Sequence, residues 1–145
     1  MLTGSTQIDA QRAFTYASRA RRRAALIRRI RRRCAACSRL AVYDPGVSRG
    51  RATAGPRGVR EIPLEAISGT VEPSKARQFD AAFLPVGMTR SRWQRVWLAE
   101  HLGAVLPPIS VVPVADGYAV RDGHHRVSVA KARGALSIDA VVDAL

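Results

Sequence analysis

Apolar residues return at steps of three and four from Asp9 to Leu40, at Ala13, Ala17, Ala20, Ala24, Ile27, Ile30, Cys34 and Cys37. That period predicts a long amphipathic helix. Its stripe is mostly alanine and can bury little area, with Ile27 and Ile30 as its main anchors. A helix of this kind is marginal alone and should order on contact with something else. Residues 44–58 then break the pattern, and their four Gly and two Pro predict a linker.

Beyond the linker the period changes. Residues 59–64 read as a short strand and 65–67 as a turn of helix, followed by a loop over 68–79 that contains Gly69 and Pro73. Residues 89–102 predict a helix capped by Thr89 and ended by Gly103, with Trp93, Val96, Trp97 and His101 on one face. Pro107 and Pro108 stop any continuation. Residues 109–114 and 118–121 are strands flanking Ala115-Asp116-Gly117, a hairpin signal. A helix over 124–133 ends at Gly134, and Ile138, Ala140 and Val142 mark a last strand. The order β-α-α-β-β-α-β predicts an α/β (α+β) domain with a mixed sheet. The chain thus divides into a basic helical arm at 1–43, the linker at 44–58 and a small domain at 59–145. It shows no internal repeat.

Charge sharpens that division. The 145 residues carry a net charge of +13, yet 61–145 balance at nine basic and nine acidic residues. Residues 1–60 hold 15 Arg against Asp9 and Asp44. The excess therefore sits on the arm. Apolar residues make up 47% of the chain, which suits a globular core and not wholesale disorder. No apolar run approaches the roughly 18 residues of a membrane span, and residues 1–10 lack the basic start and apolar stretch of a secretory signal. Cytoplasm is the expected location, with nucleoid association following from the arm's charge. Cys34 and Cys37 have no second pair to complete a zinc site and no βαβ context for a redox motif, so neither zinc nor a redox cofactor is expected.

Chemistry concentrates at Asp122-Gly123-His124-His125-Arg126, where a strand runs through a glycine into a helix. Gly123 would let backbone approach a ligand, and the free amides of the helix start would favour an anion. Arg126 can grip phosphate with two N–H groups, Ser128 adds a hydroxyl one turn on, and the histidines donate fully when protonated. Cationic side chains at the positive end of a helix oppose its dipole by roughly 0.3–1 kcal/mol each, and a bound anion would relieve that conflict. Asp122 could cap the helix or hold Mg²⁺ beside a phosphate. His124 and His125 are adjacent and diverge, unlike the i, i+4 pair of a zinc helix.

These residues carry a resemblance. Ile62-Pro63-Leu64-Glu65-Ala66-Ile67, the loop around Lys75-Ala76-Arg77, and Asp122 through Ala130 resemble the ParB N-terminal/sulfiredoxin-like superfamily, especially its small bacterial ParB-like proteins. The resemblance implies a nucleotide-phosphate site on the strand-loop-helix element. Within the superfamily some members bind and hydrolyse CTP as DNA clamps, sulfiredoxins use ATP, and others are small-molecule kinases. It also implies a second ligand-contacting loop at 72–77, where Arg77 would touch phosphate and Glu72 could act as a base. The departures are specific. The ParB pattern Gly-Glu-Arg-Arg-x-Arg becomes Gly123-His124-His125-Arg126-Val127-Ser128, and His124 stands where sulfiredoxins have their reactive cysteine. Sulfinic acid reduction is therefore unsupported. So is family-type recognition of a DNA site, because nothing here matches the helix-turn-helix region of a full ParB.

The arm points to nucleic acid. Arg21, Arg22, Arg23, Arg28, Arg29, Arg31, Arg32 and Arg33 crowd one stretch that contains no acid, and with no aromatic residue between Tyr16 and Arg33 a duplex backbone suits them better than stacked single strands. An anionic membrane surface or an acidic protein would use the same charges. The expected function is a CTP- or ATP-binding module, with Mg²⁺ as a possible companion, associated non-specifically with DNA or RNA. The alternatives are a small-molecule kinase or nucleotide hydrolase using Asp122 or Glu72, and a protein-binding module with a vestigial pocket.

Overall fold

The computed structural model of the chain describes residues 4–31, 39–44 and 58–143. Helix α1 spans Thr6–Ile30, and strand β1 is Ala41–Val42. Strand β2 covers Val59–Pro63 and β3 Ile67–Thr70, with a 3-10 turn between them. A second 3-10 turn at Pro73–Arg77 leads towards helix α2, Arg90–His101. The hairpin β4, Ile109–Val114, and β5, Gly117–Asp122, feeds helix α3, His124–Ala132, and the last strand is β6, Ser137–Val142. The six strands form one mixed sheet in the order β1-β3-β5-β4-β6-β2. β4 pairs antiparallel with β5 and parallel with β6, while β3 lies parallel to β1 and β5. The mixed α/β architecture is the one the sequence predicts.

Two elements differ from the sequence reading. The stretch expected as a loop over 68–79 begins as a strand. β3 is short and contains Gly69, so it carries no alternation to detect. A Cβ at Gly69 would lie 2.3 Å from the Ala41 carbonyl oxygen, and its absence lets β1 pair alongside. Thr89 precedes α2 but does not cap it; its hydroxyl donates to the Val86 carbonyl at 2.7 Å.

The larger difference concerns the arm. Ile27 and Ile30 are 48% and 72% exposed and anchor nothing. The helix instead seats Ala10, Phe14 and Ala17 in the same cluster as Trp93, Val127 and Ile109. Phe14 meets the Trp93 ring edge-on at 5.6 Å. Helix length explains this. Twelve residues of α2 span about 18 Å, whereas the 25 residues of α1 run about 37 Å, so the C-terminal half of α1 extends past its partner. Asp9 and Ser18 are buried beside these apolar residues. The contact on which α1 orders thus lies in its own chain, and β1 carries residues 41–42 into the sheet. Expectations for Arg32, Arg33, Cys34, Cys37 and linker residues 45–57 fall outside the described residues.

Because Phe14 is fully buried, Phe14→Ala is expected to cost about 3–5 kcal/mol, the range for large-to-small changes at an aromatic core site. Urea unfolding followed by circular dichroism checks it. A cost under about 1 kcal/mol, the level of a surface change, would show α1 to be dispensable to the fold.

Candidate functional site around the start of helix α3

β5 delivers the chain through Gly123 into α3, and Gly123 takes φ +101°, in the left-handed region. A Cβ there would fall 2.4 Å from Ile109 Cγ2. The close approach that demands glycine is therefore to the β4 side chain Ile109, whereas the sequence suggested a ligand. Asp122 is exposed at the end of β5, opposite Ser110, and no side chain caps α3.

Both histidines turn inward. His124 is 2% exposed and His125 6%. The His124 ring lies nearly parallel to Phe79 at 6.5 Å, and His125 meets Phe79 edge-on at 5.1 Å. His124 Nε2 sits 2.6 Å from Thr70 Oγ1. The Thr70 hydroxyl is within 3.2 Å of the Val120 carbonyl and accepts the Glu72 N–H at 2.9 Å. The Thr70 hydroxyl and His124 Nε2 thus share one buried hydrogen bond, whose direction follows the tautomer of the ring. Burial pushes the pKa of His124 down to about 4, and the nearby charge of Lys75 adds to the shift. His125 falls to about 4 by burial, then by the charges of Arg92 and Lys75.

This corrects the electrostatic premise drawn from the sequence. Near neutral pH the two rings are uncharged, so they neither oppose the helix dipole nor call for an anion to offset them. The positive charges from other elements that act on both rings are those of Lys75, in the 72–77 loop, and Arg92, on the first turn of α2. Sequence reasoning named the loop that carries Lys75 without assigning Lys75 a role, and it missed Arg92, Thr70 and Phe79. The pairing of α2 with α3 that brings Arg92 close has no local signal in the sequence.

The remaining expected residues scatter. Ser128 accepts from Trp93 Nε1 at 2.8 Å and donates to the Phe83 carbonyl at 2.5 Å, so its hydroxyl is committed inside the core. Arg126 leans towards Glu100 of α2, its Nε 3.9 Å from the carboxylate, while Nε and Nη1 are buried without a hydrogen-bond partner. Glu72 is exposed and precedes the 3-10 turn. Arg77 faces a different cavity, shared with Arg21 and Arg28 of α1. Arg22, Arg23, Arg29 and Arg31 are exposed, as is Arg19. Among the described residues no group of three or more His, Cys, Asp or Glu could hold a metal ion, and no helix is long and apolar enough to cross a membrane.

No family model matches this chain, and no curated protein matches it. Among solved structures, the crystal structure of sulfiredoxin from Arabidopsis thaliana is similar at 21% identity and a TM-score of 0.44, over 59% of this chain and 84% of that one. A likeness at that level concerns the path of the chain and carries nothing about the chemistry of the site.

Proposed function

We propose that the protein is a ParB-like nucleotide-binding module that associates with the phosphate backbone of DNA or RNA through α1. The observation that carries the nucleic-acid part is the arrangement of α1. One end is fixed in the core by Phe14, and Arg19, Arg22, Arg23, Arg29 and Arg31 stand exposed on a stretch, residues 10–43, with no acidic residue. A rigidly presented cationic arc of this kind displaces counterions from a duplex without reading its bases.

The nucleotide part rests on the start of α3. Its first amides and helix dipole, with the charges of Lys75 and Arg92 acting on the same turn, suit the phosphates of CTP or ATP, and Asp122 is the residue that would hold Mg²⁺ were it to take part. The Asp122-Gly123-His124-His125-Arg126 turn resembles the corresponding turn of the superfamily. In this reading Lys75 and Arg92 supply the charge, and the buried histidines support the wall behind it.

Two measurements test these parts separately. In a mobility-shift series on random duplex DNA, affinity should fall steeply with salt, and Arg22→Gln with Arg23→Gln should flatten the log–log salt slope by about 2. An unchanged slope refutes the role of α1. In calorimetric titrations of CTP and ATP, with and without Mg²⁺, Lys75→Ala with Arg92→Ala should weaken binding by about tenfold or more, the scale of losing a charge-assisted hydrogen bond. Equal affinity in wild type and variant removes the site, and nucleotide turnover would move the protein to the kinase or hydrolase alternative.

A further inference from the structure

Where α1 extends past α2, it faces β1 and the 73–86 segment across a cavity of about 620 Å³. Four guanidinium groups line this cavity, Arg21 and Arg28 from α1, Arg39 from the approach to β1, and Arg77 from the 3-10 turn. Val42, Pro73 and Ala76 give it an apolar wall. Among the described residues Asp80 is the one carboxylate on its lining. That carboxylate is already engaged, since one oxygen accepts the N–H groups of Ala82 and Leu84 at 2.9 Å each. Burial raises its pKa even though Arg28 and Arg21 pull the other way.

The cavity therefore concentrates cations from three segments of chain against one occupied acid. Two of them are held partly out of water. Arg21 Nε and Arg28 Nη1 are buried without a hydrogen-bond partner. Leaving a buried donor of a charged group unmade is costly, and a charge with poor hydration on one side attracts an anion on its open side more strongly than a fully solvated one. The volume falls in the range of small-molecule sites, and an apolar wall beside convergent cations is the usual make-up of such a pocket.

We propose that this cavity is a binding site for a small phosphorylated molecule, its phosphoryl group held by Arg21, Arg28, Arg39 and Arg77 and its apolar body against Val42, Pro73 and Ala76. The site is separate from the start of α3 and from the exposed arc of α1. A nucleic-acid backbone would meet Arg22, Arg23 and Arg29, which face solvent, before it met the partly covered Arg21 and Arg28.

Pyrophosphate is the probe, titrated calorimetrically into the full chain. One saturable site is expected, and Arg21→Gln with Arg28→Gln should weaken it by about tenfold or more. Arg22→Gln with Arg23→Gln removes the same charge from the exposed arc and should leave pyrophosphate affinity within about twofold, since screened surface charges act weakly at a distance. Asp80→Asn keeps the oxygen that Ala82 and Leu84 need and deletes the competing charge, so binding should tighten severalfold. That gain cannot come from misfolding. Absence of saturation overturns the proposal, and so does equal loss in the two arginine pairs or unchanged affinity in Asp80→Asn. Loss confined to Lys75→Ala with Arg92→Ala would refute the cavity while leaving the nucleotide reading at α3 standing. Duplex affinity that falls as far in Arg21→Gln with Arg28→Gln as in Arg22→Gln with Arg23→Gln would assign the cavity arginines to the nucleic-acid backbone instead.

Discussion

Acidification through the window between pH 6.5 and about 4 is expected to remove a large part of the protein's stability. The unfolded chain takes up a proton on both His124 and His125 below their ordinary pKa of 6.5, whereas the folded chain keeps both rings neutral until about 4. Between those values the unfolded state binds more protons, so each step down in pH favours it. The stabilisation is complete above 6.5, declines through the window and levels off below about 4. By the linkage relation the loss is on the order of 3 kcal/mol per ring, against a total of roughly 5–15 kcal/mol for an ordinary domain.

Asp80 and Glu100 work against this. Burial raises both of their pKa values, so protonating them in acid relieves an unfavourable charge in the folded state. The histidines should still dominate, because they are shifted further and are nearly inaccessible, with Phe79 packed against both rings. Urea midpoints measured from pH 7 downward should fall steeply, and the variant His124→Gln with His125→Gln should show a much flatter dependence. Imidazole titrations followed by NMR in the folded protein at pH 6.5 would contradict the inward, neutral placement. So would a urea midpoint that does not move between pH 6.5 and 5.

Sequence pattern located most of the fold because most elements here bury one regular face. The hairpin of β4 and β5, the helices α2 and α3 and the final strand each carry a run of apolar residues at one period, ended by glycine or proline. β1 and β3 were illegible for the opposite reason. Two and four residues long, they are defined by pairing with each other and with β5, and Gly69 is needed for fit and not for pattern. α1 shows a subtler failure. Its alanine stripe was real, but periodicity marks which residues share a face and is silent on how far along the helix a partner reaches. Phe14 lay off the chosen stripe and proved to be the anchor, while Ile27 and Ile30 lay on it beyond the end of α2.

The turn was legible in place, and the burial of its histidines was not. Asp122 through Arg126 does form a strand-to-helix turn opened by glycine, as the order of residues requires. Sequence cannot show that the residues following that glycine point into the core. A histidine at the start of a helix is a cation or a neutral packing group according to what covers it, and here Phe79 and Thr70 cover it from segments that are more than 40 residues distant in the chain. The same holds for Arg77. The superfamily resemblance implied a place for it beside the α3 turn, and the tertiary fold puts it on a cavity with Arg21 and Arg28.

Gly123→Ala is expected to destabilise the protein by about 2–5 kcal/mol, from two independent penalties. The first is conformational: at φ +101° an L side chain crowds its own backbone, which costs about 1–2 kcal/mol. The second is steric, for the new methyl would stand 2.4 Å from Ile109 Cγ2 and 2.8 Å from Ile109 Cβ, and Ile109 is fixed in the core at 1% exposure. A flexible side chain could swing away, but a β-branched residue seated in a central strand cannot, and overpacking of this kind costs about 1–3 kcal/mol. The two penalties separate in a double-mutant cycle with Ile109→Ala. That change removes Cγ2, the atom nearest the new methyl, at the cost of a cavity of its own, so in its background Gly123→Ala should lose part of the steric cost and keep all of the conformational one. If Gly123 were present only to admit a ligand, Gly123→Ala would leave the urea midpoint unchanged and lower ligand affinity alone. A lowered midpoint in the absence of any ligand, with a smaller drop in the Ile109→Ala background, would assign the glycine to the β5–α3 junction itself.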